Sequence, residues 1–197
     1  MNPGLVYVVG PSGAGKDSLL TWLSARWPSS VPVHWVQRTI TRPSNAGGED
    51  HEAVTEADFE TMVQNQIFAL HWDANGLRYG IRASQLATLR QGHWVMLNGS
   101  RAHLHRAVQQ YPGLTVLHIT ADPQVLRQRL LGRGREAAEA LEVRLSRVVD
   151  LTWPAGCRLI DIHNNESLEQ AGQALLMALR DIDDRFAGSS EGAKPNR

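Results

Sequence analysis

Lysine is nearly missing from this chain: of 20 basic residues among 197, 18 are arginine and two are lysine, Lys16 and Lys194. Cysteine occurs once, as Cys157, which excludes an internal disulfide and suits a reducing compartment. With no partner at a metal-ligand spacing, that thiol is expected to be buried and inert. Net charge is missing too, because 20 basic residues balance 20 acidic ones at a pI near 7.1. There is therefore no global electrostatic attraction to nucleic acid or to an acidic membrane, neither is expected as a partner, and any anion site must be local. Long hydrophobic runs are absent as well. The first apolar run, Leu5 to Val9, is too short and too bare of basic residues for a signal peptide, and no segment approaches membrane-spanning length, so a cytoplasmic location is expected.

What is present starts at once. Residues 5 to 18 read LVYVVGPSGAGKDS, an apolar run ending in a glycine-rich loop that carries Lys16. Gly10, Gly15 and Lys16 fit GxxxxGK[ST] with a strand before and an amphipathic helix after, the context this phosphate-binding pattern requires. Such a loop turns backbone N–H groups toward a β-phosphate, places a helix N-terminus behind them, and bridges the outer phosphates with an ammonium. The stretch Gly10, Pro11, Ser12, Gly13, Ala14, Gly15, Lys16, Asp17 and Ser18 is thus the candidate nucleotide site. The competing reading is a glycine-rich turn with an exposed lysine. Against it stands the composition: a chain that otherwise writes arginine keeps lysine where a compact ammonium fits and a forked guanidinium does not.

At 42% apolar residues and 17 glycines, the chain suits one domain with insertions. Helical spacing of Leu19, Leu20, Leu23 and Trp27 ends at Pro28; Val33 to Thr41 reads as a strand; Thr55 with Asp58 resembles a capping box; and Asn75-Gly76 turns a hairpin. Ser84 is expected to cap a helix closed by Gly92. Trp94–Leu97, Thr115–Thr120 and Arg158–Ile162 read as central parallel strands separated by helices. This alternation predicts an α/β fold, a doubly wound parallel sheet of about five strands, with a mixed insertion at about 35–85. One domain over 1–185 and a disordered polar tail over 186–197 complete the expectation, and the sequence is compatible with a homodimer.

The motif order GPSGAGK, ITRP, GLRYG and RQRLLGRGRE resembles the guanylate kinase group of P-loop kinases over nearly the whole folded chain. The resemblance implies ATP as phosphoryl donor, an acceptor-binding insertion, and a helical lid at about 127–147. Arg42 and Tyr79 match residues that hold the acceptor phosphate, and Arg133 and Arg144 match lid arginines. The departures carry more information. Leu70 stands where the group reads guanine with a glutamate, Ile81 replaces a hydroxyl residue, Asn98 an aspartate, and His51 a phosphate-binding tyrosine. Losing polar base contacts costs orders of magnitude in discrimination, so GMP is a poor candidate acceptor. GKDSLL, VQRTITR, HWDANGLRYG and NGSRAHL narrow the resemblance to guanylate-kinase-like kinases of a phosphorylated ribose, ribose 1,5-bisphosphate, which give 5-phosphoribosyl 1-diphosphate and ADP.

Such a transfer needs positioning and charge neutralisation and no general base, since a sugar phosphate oxygen is already anionic. Lys16, Arg133, Arg135 and Arg144 are the candidate catalytic residues, the arginines closing over the phosphoryl group; interleaved Glu136, Glu139 and Glu142 leave a solvated ion-paired helix as the alternative. Arg127 and Arg147 are expected on that solvated face. Arg38, Arg42, Tyr79, Asn98, Ser100 and Arg101 are the candidate acceptor residues, with a strand-end surface charge as the alternative for Arg38 and helix capping for Ser100. Asp17, directly or through water, and Ser18 are the candidate Mg²⁺ ligands. Another small-molecule or nucleoside monophosphate kinase, and a guanylate-kinase-shaped binding module without catalysis, are the competing functions.

Overall fold

The computed structural model describes residues 4–46, 49–132 and 152–183. Five parallel strands form its main sheet. Strand β1 (Leu5–Val9) is buried along its whole length. It pairs with β7 (Trp94–Asn98) on one side and β8 (Thr115–Thr120) on the other, β2 (Val33–Trp35) lies outside β7, and β9 (Arg158–His163) outside β8. Alternation divides β1 between two cores. Val6 and Val8 face the layer of α1 (Lys16–Ser24), α4 (Pro123–Leu131) and α5 (Leu168–Arg180), while Leu5, Tyr7 and Val9 face the layer that contains α3 (Leu104–Gln110). A strand buried on both faces is what a continuous apolar run becomes in a doubly wound sheet.

A second, four-stranded sheet is cut from residues 38 to 82. Its order is β4 (His51–Ala53), β3 (Arg38–Ile40), β6 (Leu77–Arg82), β5 (Phe68–Ala74), with β3 and β4 parallel and the other pairs antiparallel. The β5–β6 hairpin turns at Asn75 and Gly76, both at positive φ (52° and 72°), as the Asn-Gly pair predicts. Between the strands, α2 (Glu56–Gln64) opens on Thr55, whose hydroxyl accepts from Asp58 N at 3.1 Å.

Three local expectations are corrected. The single strand expected from Val33 to Thr41 is two strands in two sheets: Val36 N still donates to Met96 O of the main sheet at 2.9 Å, and then Gln85 takes both backbone groups of Gln37. A distant glutamine supplies the hinge. The segment before Gly92 is a 3-10 turn run over Ala83–Gln91 with no side-chain cap, so Ser84 does not cap it, although Gly92 closes it in the left-handed conformation. Arg158–His163 is an edge strand, and only Ile160 and Ile162 of it are buried.

Helix α5 seals the first layer. Its capping box pairs Ser167 with Gln170, and Leu175 and Leu179 are fully buried in the core that also holds Leu19, Leu23 and Trp22 of α1. Truncating Leu175 to Ala leaves a void that this two-sided packing cannot close, so a loss of about 2–5 kcal/mol is expected. Urea denaturation followed by tryptophan fluorescence measures it.

Candidate active site

The site lies where strand order reverses around β1, outside the carboxyl ends of β1 and β7, the place where open α/β sheets gather ligands. Gly10 follows β1 directly. A side chain there would collide with the carbonyl of Ile119 in β8, so the chain needs glycine to leave the sheet at this point. At the other end of the loop Gly15 caps α1 with φ 86°, and a Cβ on it would strike the amide of Asn164. Asn164, buried at the end of β9, donates its amide to Ala14 O at 2.8 Å and ties the loop to the sheet. Sequence reasoning missed Asn164, because nothing local marks a residue that acts across 150 positions.

Lys16 Nζ donates to Gly10 O at 2.9 Å and to Pro11 O at 3.1 Å, curling over the loop with one of its three protons left for a ligand. Burial pulls its pKa from 10.5 down to about 8, against the opposing pull of Asp17; Arg38 and Arg101 push it the same way as burial. Holding that ammonium costs the folded state about 3 kcal/mol at about 1.4 kcal/mol per unit. The cost is present below about pH 8 and disappears as pH rises toward the unfolded value. Nearby, Arg129 Nη1 is buried without a partner among the described residues, 3.9 Å from the Cβ position of Gly15. A buried ammonium and an orphaned guanidinium N–H around a glycine loop suit a polyphosphate anion.

A cleft of about 400 Å³ runs from this loop to the second sheet, lined by Gly10 to Gly13, Gly15, Lys16 and Asp17 on one side and Arg38, Trp72 and Tyr79 on the other, with Asn98, Ser100 and Arg101 between. The structure thus brings together most of the residues singled out from sequence. Ala14 is buried beneath the loop and does not line the cleft; Ser18 is exposed on α1, also outside it. Arg42 lines a separate opening with Thr41, Pro43, Asn45 and Asp58. There its Nη2 lies 3.2 Å from His51 Nδ1, which is also 3.0 Å from Glu49 O, while His51 Nε2 meets Arg42 O at 3.0 Å. Arg133, Arg135 and Arg144 lie outside the described residues, as does most of the expected lid.

The second-sheet wall of the cleft is a stack. Arg38 lies over the Tyr79 ring at 4.9 Å, Tyr79 stacks on Trp72 at 5.7 Å with planes 6° apart, and Trp72 meets His103 at 5.6 Å. Trp72 and Tyr79 are cross-strand partners in the hairpin, which holds the stack rigid. Leu70 and Ile81, by contrast, are buried at 1% and 0% exposure in the core beside that stack and do not line the cleft. Tyr7, whose phenol burial pushes up to about 12, donates to Ser100 O and accepts from Ser100 N, setting the Ser100–Arg101 turn. Ser100 is no helix cap; α3 begins after His103. Across the cleft Asn98 Nδ2 donates to Asp17 Oδ1 at 3.0 Å, and Glu49, unremarked in the sequence, pairs with Arg38.

A family model for guanylate kinase matches residues 3–181. The chain belongs to the guanylate kinase family. Among its relatives, a ribose 1,5-bisphosphate phosphokinase of Thiobacillus denitrificans is 43% identical over 179 residues, covering 91% of this chain and 94% of that protein. One of Rhizobium etli is 42% identical, covering 89% and 88%. Among solved structures, guanylate kinase from Anaplasma phagocytophilum superposes with a TM-score of 0.58 at 16% identity, covering 92% of this chain and 87% of that one. At that identity the likeness speaks for the fold alone.

Because Lys16 must be protonated to hold a phosphate, ATP affinity is expected to fall about tenfold per unit as pH rises above about 8. In Lys16→Arg the charge persists, so the slope flattens while affinity at pH 7 drops. Isothermal titration between pH 6.5 and 9.5 measures both.

Proposed function

We propose that this kinase transfers the γ-phosphoryl group of ATP to ribose 1,5-bisphosphate, giving 5-phosphoribosyl 1-diphosphate and ADP. The observation that carries the reading is the acceptor side of the cleft. It offers the Arg38 guanidinium, the Tyr79 phenol and Arg101 to an anionic substrate. It offers no base reader at Leu70 or Ile81, which are sunk in the core. A phosphorylated acceptor without a purine fits that wall, and the names of the relatives agree with it.

An oxygen of the sugar 1-phosphate attacks the γ-phosphorus in line, and the bond to the β–γ bridging oxygen breaks as ADP departs. No general base takes part. Lys16 and the loop N–H groups hold the donor phosphates, Arg38 with Tyr79 holds the acceptor, and Arg101, whose pKa burial lowers, stands between them. We assign Arg133, Arg135 and Arg144 to closure over the transferring group, and Arg42 with its opening to the outer end of the acceptor, reached when the second sheet closes. Such arginines are worth about 10³ or more in rate in other phosphoryl-transfer enzymes.

Mg²⁺ fits this donor set at Asp17. A carboxylate beside a polyphosphate is tolerable only with a cation, and Asp17 Oδ1, fixed by Asn98, borders the cleft. Bound there, the ion would neutralise phosphate charge. Ser18, exposed outside the cleft, fits that role less well. The neutral net charge supports a small phosphorylated substrate over nucleic acid or membrane, and among the described residues no helix is long and apolar enough to cross one. Dependence on ATP and the lone thiol favour the cytoplasm.

Coupled measurement of ADP release with ribose 1,5-bisphosphate, GMP and gluconate in parallel tests the acceptor. Turnover is expected with the first, at a kcat/KM at least about 10²-fold above that for GMP; faster turnover of GMP overturns the reading, and ATP binding without any turnover favours a binding module. For the metal, Asp17→Ala is expected to raise the Mg²⁺ concentration needed for half-maximal rate and for Mg·ATP binding by about tenfold or more. An unchanged requirement removes Asp17 from the metal site.

A further inference from the structure

Behind the cleft wall, in contact with two of its lining residues, stands one acidic group that phosphoryl transfer does not explain. Glu49 follows the Ser44–Ala46 turn and lies against Arg38 and Asn98, both of which line the cleft, its side chain 18% exposed. Donor and acceptor are both polyanions, so a carboxylate there repels them unless its oxygens have assigned partners. Oε1 has them, taking Arg38 Nε at 2.8 Å and Arg38 Nη2. That grip fixes the guanidinium over Tyr79 and leaves Nη1 for a phosphate.

Oε2 is placed differently. Among the described residues its contact is Asn98 Nδ2 at 3.5 Å, and that amide makes its closer bond, 3.0 Å, to Asp17. A carboxylate oxygen with a single long contact keeps acceptor capacity for a hydrogen-bond donor that brings no negative charge. A sugar hydroxyl is such a donor. Leu70 and Ile81 have removed polar recognition from the place where a base would be read, so any polar selection of the acceptor must come from elsewhere on the wall.

We propose that Glu49 is the specificity-determining residue for the acceptor sugar: Oε1 pins Arg38 for the acceptor phosphate, and Oε2 accepts a hydrogen bond from a ring hydroxyl of the pentose. This rests on the ribose 1,5-bisphosphate reading above and adds the group that recognises the sugar itself. A hydroxyl bonded to a half-buried carboxylate is a strong discriminator, because its loss leaves a charge unpartnered.

The test compares wild type, Glu49→Ala and Glu49→Gln for kcat/KM with ribose 1,5-bisphosphate and its 2-deoxy and 3-deoxy analogues, with ATP binding as the check on folding. Wild type is expected to prefer the ribose compound over at least one analogue by about 10²-fold or more. In Glu49→Ala that ratio shrinks to about fivefold or less, because ribose turnover falls while deoxy turnover does not fall further. Glu49→Gln keeps the shape and a weaker acceptor oxygen, so its ratio lies between, at least about threefold below wild type; it decides the matter if the alanine variant does not bind ATP. A merely structural role in holding Arg38 slows all three substrates alike and leaves the ratios unmoved, which overturns the proposal. Wild type that discriminates against neither analogue overturns it too. Absence of ribose 1,5-bisphosphate turnover in wild type overturns the functional reading and this one together, whereas turnover with unmoved ratios overturns this one alone.

Discussion

A positive charge held against burial is the constraint on which the rest depends. Lys16 must remain an ammonium at the mouth of a buried parallel sheet, where partial burial pulls its pKa down to about 8. The two loop carbonyls that receive it are presented because Gly10 leaves β1 without a side chain and Gly15 turns into α1 in the left-handed conformation. Neither backbone shape survives alone. Ile119 presses on the loop from β8, and Asn164 ties it down from the end of β9. The order of the strands thus serves the loop: β8 and β9 follow β1 on one side, so residues more than a hundred positions apart meet beneath a single phosphate cradle.

The other side of β1 carries the acceptor machinery, and there the chemistry has been redistributed. A carboxylate stands in the glycine loop at Asp17 where a hydroxyl residue is usual, and a carboxamide stands at the end of β7 in Asn98. The two are hydrogen bonded to each other at 3.0 Å. From Asn98 the contacts continue to Glu49 and on to Arg38, whose guanidinium is set by the Tyr79–Trp72–His103 stack. One connected set of side chains therefore runs from Asp17 to the Trp72–Tyr79 wall of the cleft, each member in contact with the next.

Much of this was legible in order along the chain. The glycine loop, the hairpin turn at Asn75-Gly76, the Thr55 cap and the apolar runs of β1, β7 and β8 all rest on local rules, where sterics, capping or periodicity act within a few residues. The failures share a cause. The break between β2 and β3 is made by Gln85, the edge position of β9 by strand order, and the absence of a cap at Ser84 by a 3-10 geometry that no short pattern specifies. Glu49, Trp72 and Asn164 escaped notice because an isolated Glu, Trp or Asn has no signature until its partner is known.

The sequence by itself determined the expectation that phosphates are held and that the acceptor is not read as guanine, because a glycine loop with its lysine and the apolar residues at positions 70 and 81 carry their chemistry wherever they fold. Tertiary structure alone decided which basic residues face one another. It set Arg38 in the cleft and Arg42 in a separate opening, although only four positions separate them. Arg38 begins β3 and points across the sheet toward Tyr79, whereas Arg42 lies beyond the strand, where His51 draws it into the neighbouring turn. Direction of that kind is a property of the sheet and its partners, which the order of residues does not contain.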